Sequence, residues 1–335
     1  MKPKIVLYHP ATQALVDELR SHFDVTAFDK VSDANRAEFL AAALEADGLI
    51  GMGLPVKTQE LRGAKYLKVI ATISAGYDAF DVAELTANKI VLMNLFDPLT
   101  ETTADLAFAL IMTTARRIVE LDRKVRKGEW LKPVETPWFG LDVHGKTLGI
   151  IGLGRIGNAI ARRGALGCGM SILYTARSPK PDAEERYGAR RCALDELLRE
   201  SDFVCLSVPL TAETSRLIGA RELQLMRSTS ILVNISRGPV VDQAALIVAL
   251  QNKTIYAAGL DVFEQEPLPV DSPLMSLDNV VLAPHVGSAT TQTRDAMAAY
   301  AADSLIGYLC RGKSRNVVNP EALTSATGSN ADGSA

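Results

Sequence analysis

Three polar residues stand where apolar runs end in the last third of the chain. Arg237 lies in Asn234-Ile235-Ser236-Arg237-Gly238, Glu266 in Asp261-Val262-Phe263-Glu264-Gln265-Glu266-Pro267, and His285 in Pro284-His285-Val286-Gly287-Ser288. A guanidinium clamps a carboxylate through forked bonds and polarises the carbonyl beside it. An imidazole can donate the proton that a reduced carbonyl must take up. A carboxylate beside that ring orients it and favours its charged form. Taken singly, each has a plainer reading as a capping arginine, a solvated loop acid or a packed histidine. At the ends of successive strands, where open α/β sheets gather their ligands, they point to acid–base chemistry on a small carbonyl acid. His9, His22 and His144 lack such company and read as structural or surface residues.

A second constellation lies upstream. Gly152-Leu153-Gly154-Arg155-Ile156-Gly157 follows the apolar run Leu148–Ile151 and opens a helical stretch, 158–165. The first glycine permits a tight turn, the second admits a pyrophosphate to the backbone, and the third lets helix pack on strand. The helix start adds free N–H donors and partial positive charge for the phosphates. Between a strand and a helix this fingerprint is specific for a dinucleotide. An acid at the end of the next strand would hold the ribose 2′-hydroxyl of NAD. Here that strand, Ser171–Thr175, runs instead into Ala176-Arg177-Ser178. A cation and a hydroxyl in that place suit a 2′-phosphate. NADPH is therefore expected, with NADH as the weaker alternative.

Short Val-, Ile- and Leu-rich runs alternate with helical stretches, the pattern of βαβ units and parallel sheets. Strands are expected at 4–8, 25–28, 48–51, 67–72 and 90–93, then at 147–152, 171–175, 203–208, 230–235, 257–262 and 280–283. Helices are expected at 11–22, 33–45 and 81–87, as one long amphipathic stretch over 100–127, and at 290–310. Residues 128–145 read as a loop carrying both tryptophans, Trp130 and Trp138. Residues 316–320 read as extended, and 321–335 as a small, polar, disordered tail.

At 335 residues the chain is long enough for two domains, and 47% hydrophobic with 22% charged residues is ordinary for a globular protein. A net charge of −3 gives no bulk attraction to nucleic acid or anionic membrane. No leader pattern or apolar run of membrane-spanning length is present. Cys168, Cys192, Cys205 and Cys310 are scattered without metal spacing, and are expected to be buried thiols of a cytoplasmic protein.

These motifs together resemble the D-isomer-specific 2-hydroxyacid dehydrogenase family over residues 1–320. The landmarks are the glycine fingerprint, Arg237-Gly238, Asp261-Val262-Phe263 with Glu266-Pro267, and Pro284-His285 with Gly287-Ser288. Closer still, Ser74–Asp78, Leu99–Thr102, Gly128–Trp130 and Gly259–Pro267 are similar to the bacterial glyoxylate/hydroxypyruvate reductase B branch, also called 2-ketogluconate reductases. The resemblance implies an α/β protein of two Rossmann-like or flavodoxin-like parallel-sheet domains. A nucleotide domain, 99–287, would be inserted into a substrate domain made of 1–98 and 288–320. It implies that the backbone of Ser74, Ala75 and Gly76 receives the substrate carboxylate. It also implies cofactor contacts from Thr103, Arg155, Ile156, Val208, Pro209, Ile235, Asp261, His285 and Gly287. The implied activity is reduction of glyoxylate, hydroxypyruvate or 2-ketogluconate to D-2-hydroxy acids. The implied assembly is a homodimer in which Trp138 reaches the partner's substrate pocket. No metal, nucleic acid or membrane partner is implied.

Two rivals remain. A reductase of a phosphorylated sugar acid, such as 2-keto-6-phosphogluconate, would need further cations at the far end of the pocket. The sequence places neither Arg62 nor Lys65 there. A corepressor-like, cofactor-sensing protein would keep the same residues without turnover.

Overall fold

A computed structural model describes residues 1–324. The chain divides into two compact units, Met1–Leu99 together with the chain from Ala289, and Thr100–Ser288.

In the first unit β1 (Lys4–Leu7), β2 (Asp24–Ala27), β3 (Gly48–Gly51), β4 (Val69–Thr72) and β5 (Val91–Met93) form one sheet in the order β2-β1-β3-β4-β5. All four pairings are parallel. That is the flavodoxin-like order. Every residue of β3 and β4 is buried, as parallel strands covered on both faces must be. The long C-terminal helix Thr291–Arg311 packs on β3, β4 and the helix Gln13–His22. Gly48 leaves room for its Leu305 and Leu309, each 3.0 Å from where a Cβ would stand.

The outer edge of β5 is closed by the chain end. Val318 N–H donates to the Leu92 carbonyl at 2.8 Å. The buried Asn319 side chain accepts from Leu92 N–H at 2.7 Å and donates to the Ile90 carbonyl at 2.9 Å. One amide side chain thus supplies the two bonds a neighbouring strand would make.

The second unit holds β6 (Thr147–Ile151), β7 (Ser171–Thr175), β8 (Arg190–Arg191), β9 (Phe203–Leu206), β10 (Ile231–Asn234), β11 (Ala257–Leu260) and β12 (Val280–Leu282). Their order is β12-β11-β10-β9-β6-β7-β8, parallel throughout. It reverses at β6, the switch point beside which such sheets bind nucleotides. Successive residues point to opposite faces. Leu148 and Ile150 accordingly join one apolar cluster with Phe203 and Cys205, while Ile151 joins another with Val204 and Leu206. No helix among the described residues is long and apolar enough to cross a membrane, and none of their acidic, Cys and His side chains form a metal-holding group.

The structure departs from the sequence reading in four places. The stretch 100–127 is two helices, Thr100–Ala115 and Ile118–Arg126, broken where Arg117 turns left-handed at φ 55°. The break is held by Arg117, which donates to both oxygens of the buried Glu120 and to the Pro137 and Phe139 carbonyls. β8 was not expected, because two residues carry no periodicity. Residues Glu321–Thr324 are helical rather than disordered, and the rest of the expected tail lies outside the described residues. All four cysteines are free, but only Cys205 is buried and Cys310 is exposed. Cys310 sits one residue before the end of the helix Thr291–Arg311.

Candidate active site

The glycine fingerprint forms the turn from β6 into the helix Arg155–Arg162. Gly152 takes φ +96°, and a Cβ there would stand 2.5 Å from the Ser207 carbonyl and 2.7 Å from the Val208 side chain. No L-residue fits both demands. A Cβ on Gly157 would overlap the Gly152 carbonyl, so helix and turn pack backbone to backbone. Over Gly154 nothing lies within 4 Å of a built Cβ, and the helix start has no side-chain cap. Open backbone at an uncapped helix N-terminus fits a dinucleotide pyrophosphate. Arg155 is exposed and Ile156 half-buried in the first turn.

At the tip of β7, Arg177 and Ser178 are exposed. The loop is tied at both ends. The Tyr174 hydroxyl accepts from Lys180 N–H at 2.8 Å. The Arg191 guanidinium donates to the Ala176 carbonyl at 2.9 and 3.2 Å and to the Arg177 carbonyl at 3.3 Å. Sequence reading missed Arg191. It lies on the two-residue strand β8, and the one available signal was a second basic pair, Arg190-Arg191, downstream of Arg177.

The three candidate catalytic residues follow β10, β11 and β12, neighbours in the sheet. Arg237 is placed by Asn234, whose buried amide donates to the Arg237 carbonyl at 3.0 Å and accepts from Ser236 N–H and hydroxyl. The Arg237 guanidinium donates to the Ser236 carbonyl at 2.7 Å. Glu266 holds Phe263 N–H with one oxygen at 3.0 Å. Its other oxygen stands 2.7 Å from His285 Nδ1. Carboxylate and imidazole are paired through Nδ1, with Nε2 on the opposite side of the ring.

His285 sits at φ 54°, a conformation uncommon for a residue with a Cβ. Asp261 holds it there. Its carbonyl accepts His285 N–H at 2.8 Å, and its carboxylate accepts Val286 N–H at 2.7 Å and Gly287 N–H at 2.9 Å. Burial pushes the Asp261 carboxyl above the usual range, against the pull of those two N–H groups. Thr103 completes the cluster, since a Cβ on Gly287 would lie 3.2 Å from Asp261 and 3.3 Å from Thr103. Ile235, just past β10, is buried, and Val208 lies against Gly152 with Pro209 next in the chain. Asp261 was expected beside the cofactor; its part in fixing the histidine turn was not legible.

In the first unit, Ser74–Gly76 follow β4. Their carbonyls are all engaged: Ser74 by Leu95 N–H at 3.0 Å, Ala75 by the Asn94 amide at 2.8 Å, and Gly76 by the Ser74 hydroxyl at 2.6 Å. The Ala75 and Gly76 N–H groups have no acceptor among the described residues. Such a nest suits an anion. Trp138 ends a short 3₁₀ turn, half-buried, with Lys124 Nζ 5.3 Å from its ring centre. Arg62 is committed to Glu84 through two bonds, 2.6 and 2.8 Å.

Known proteins place this geometry. Residues 108–287 match the family described as D-isomer specific 2-hydroxyacid dehydrogenase, NAD binding domain. A glyoxylate/hydroxypyruvate reductase B of Yersinia pestis is 52% identical over 323 residues, covering 96% of this chain and 99% of its own. The crystal structure of the TT0316 protein of Thermus thermophilus superposes with a TM-score of 0.85 at 38% identity, covering 94% of this chain and 99% of its own. An NADPH-dependent glyoxylate/hydroxypyruvate reductase of Sinorhizobium meliloti, solved with NADP and malonate, gives a TM-score of 0.81 at 34% identity, covering 96% and 98%. With a nucleotide-binding turn at the switch point and an imidazole–carboxylate pair on the same sheet edge, the chain belongs to the D-isomer specific 2-hydroxyacid dehydrogenases, which use a nicotinamide cofactor.

Proposed function

We propose that the protein is an NADPH-preferring reductase of small 2-keto acids, glyoxylate and hydroxypyruvate among them, and that it yields D-2-hydroxy acids. The observation that carries this reading is the 2.7 Å pairing of His285 Nδ1 with Glu266 at the strand ends that also present Arg237. When bound, the cofactor supplies a hydride. His285 gives the proton from Nε2 to the carbonyl oxygen, and Glu266 stabilises the charged ring until the proton leaves. Arg237 polarises the carbonyl and steadies the acid. The N–H groups of Ala75 and Gly76 take the substrate carboxylate. Asp261 is a positioning residue acting through the His285 turn, and Thr103 beside it supports the nicotinamide side.

The NADPH preference rests on Ala176, Arg177 and Ser178, with Arg191 bracing the loop. The Yersinia and Sinorhizobium relatives support the substrate class by their names. The free thiols fit a reducing compartment such as the cytoplasm. A homodimer is proposed from the stretch 118–139, where Ile118, Val125, Trp130, Leu131, Val134 and Phe139 are exposed. Apolar surface so concentrated marks an interaction site. Trp138 in the same stretch would then border the partner's substrate.

The test is initial rates with glyoxylate, hydroxypyruvate and 2-ketogluconate against both cofactors, with the product's configuration determined. Steady NADPH oxidation giving the D-product is expected. No turnover of any 2-keto acid by the folded protein would overturn the reading, and a monomer at working concentration would overturn the dimer.

A further inference from the structure

The carboxyl edge of the first unit's sheet carries more than the Ser74–Gly76 loop. Leu7 of β1 is level with Ile50 of β3, and Gly51 of β3 is level with Thr72 of β4. Tyr8 N–H donates to the Ile50 carbonyl at 2.9 Å and Ile73 N–H to the Gly51 carbonyl at 2.8 Å, so His9, Met52 and Ser74 follow where β1, β3 and β4 leave the sheet at this edge. β3 lies between β1 and β4, so Met52 comes off the strand next to the one that leads into the nest.

Arg294, in the first turn of the helix Thr291–Arg311, reaches this place. Its guanidinium is half-buried and donates to the Met52 sulfur at 3.2 Å. A thioether is a weak acceptor for a group with five N–H donors. No carboxylate among the described residues forms an ion pair with Arg294. Burial alone pushes it below the usual arginine range. His9 and Arg294 line a cavity of about 300 Å³ with Thr12, Glu18 and Asp295. Burial, then the Arg294 charge, holds His9 below its ordinary value. The Met52 turn is itself fixed, since the buried Tyr8 hydroxyl donates to the Gly53 carbonyl at 2.8 Å. A charged group kept half out of water beside a weak acceptor wants an anion.

We propose that Arg294, with His9 beside it, binds a second anionic group, a carboxylate or phosphate, at the far end of a 2-keto acid whose own carboxylate occupies the Ser74–Gly76 loop. This rests on the reading of that loop given above. The favoured substrates are accordingly longer than glyoxylate and doubly acidic.

The experiment measures kcat/KM with NADPH for glyoxylate as reference, for 2-oxoglutarate against its uncharged-tail counterpart 2-oxopentanoate, and for phosphohydroxypyruvate against hydroxypyruvate. In the wild type the charged-tail member of at least one pair should lead by about 10-fold or more, the worth of one charge-assisted bond. Arg294→Gln should remove that lead, mainly through KM, and Arg294→Lys should restore part of it. Equal values within both wild-type pairs would overturn the proposal without any variant. So would an Arg294→Gln enzyme that keeps the lead, or one that loses glyoxylate and charged-tail activity in equal measure. If no keto acid is reduced at all, the underlying reading fails; if glyoxylate is reduced but tail charge is ignored, only the Arg294 subsite does.

Discussion

A Cβ on Gly238 would overlap the Phe263 carbonyl, so the backbone that carries Arg237 lies directly against the backbone that leads to Glu266. Phe263 N–H in turn binds Glu266, and Glu266 binds His285. Three strand ends are thereby geared together. Gly238→Ala should force them apart. A misplacement of about 1 Å can cost on the order of 100-fold in rate. The expected outcome is a fall in kcat/KM of that order, with NADPH affinity by fluorescence titration changed far less, because the glycine fingerprint is elsewhere on the sheet.

Removal of the imidazole should abolish turnover and spare cofactor binding. His285→Gln is expected to lose about 10²–10⁴-fold in kcat. Glu266→Gln keeps the shape and deletes the charge 2.7 Å from Nδ1. The proton donor then loses the carboxylate that orients it, so kcat should fall by about 10-fold or more while NADPH affinity is kept. An unchanged kcat would take Glu266 out of that role.

Cofactor choice can be read from the loop after β7 and from Arg191 on β8, which braces it. Ala176→Asp should bond the ribose hydroxyl of NADH and repel the phosphate of NADPH. Arg177→Ala should weaken NADPH alone, by about 10-fold or more. Arg191→Ala removes the brace on the Ala176 and Arg177 carbonyls and should lower the NADPH to NADH ratio as well. Raised salt should weaken the wild-type preference, since Arg177 is exposed. A wild-type kcat/KM for NADH at or above that for NADPH contradicts the whole assignment.

Glu120 makes a stability prediction. Burial pushes its carboxyl up, but hydrogen bonds from Arg117 and Lys124 outweigh this and hold it below the usual glutamate range. Glu120→Gln strands Arg117 and loosens the turn at Pro137 and Phe139. The loss should be about 2 kcal/mol, less than for a fully buried pair because both cations keep some solvent. A carboxyl held low in the folded state stabilises above its unfolded range, and that gain is lost as pH falls through the folded value. Urea denaturation should therefore show the gap between wild type and variant at neutral pH and its closure in acid.

Apart from β8, the strands of both sheets were legible, most directly where a buried parallel strand is a continuous apolar run, and the fingerprint from three glycines set between a strand and a helix. Arg237, Glu266 and His285 were legible from their places after such runs. The break at Arg117 was not, since the pattern stays amphipathic through it and the cause is a distant pair of carbonyls. Nor was Arg294: on its helix it reads as one more polar residue, and only the fold brings Met52 to it. Arg191 and Asn94 act on backbone carbonyls, which leave no mark in a sequence.

The division of the first unit has a consequence for how the protein is made. Its sheet strands leave the ribosome first, but the helix that covers β3 and β4, and the Asn319 amide that closes β5, follow only after the whole second unit. At about 5–20 residues per second, that interval is on the order of ten to forty seconds. For that time the nascent chain carries a bare apolar sheet face and an unpaired strand edge, while the second unit is still being added behind it. Chaperone demand should therefore peak late in synthesis, and a chain truncated just before Thr291 should aggregate although every strand of both sheets has been made.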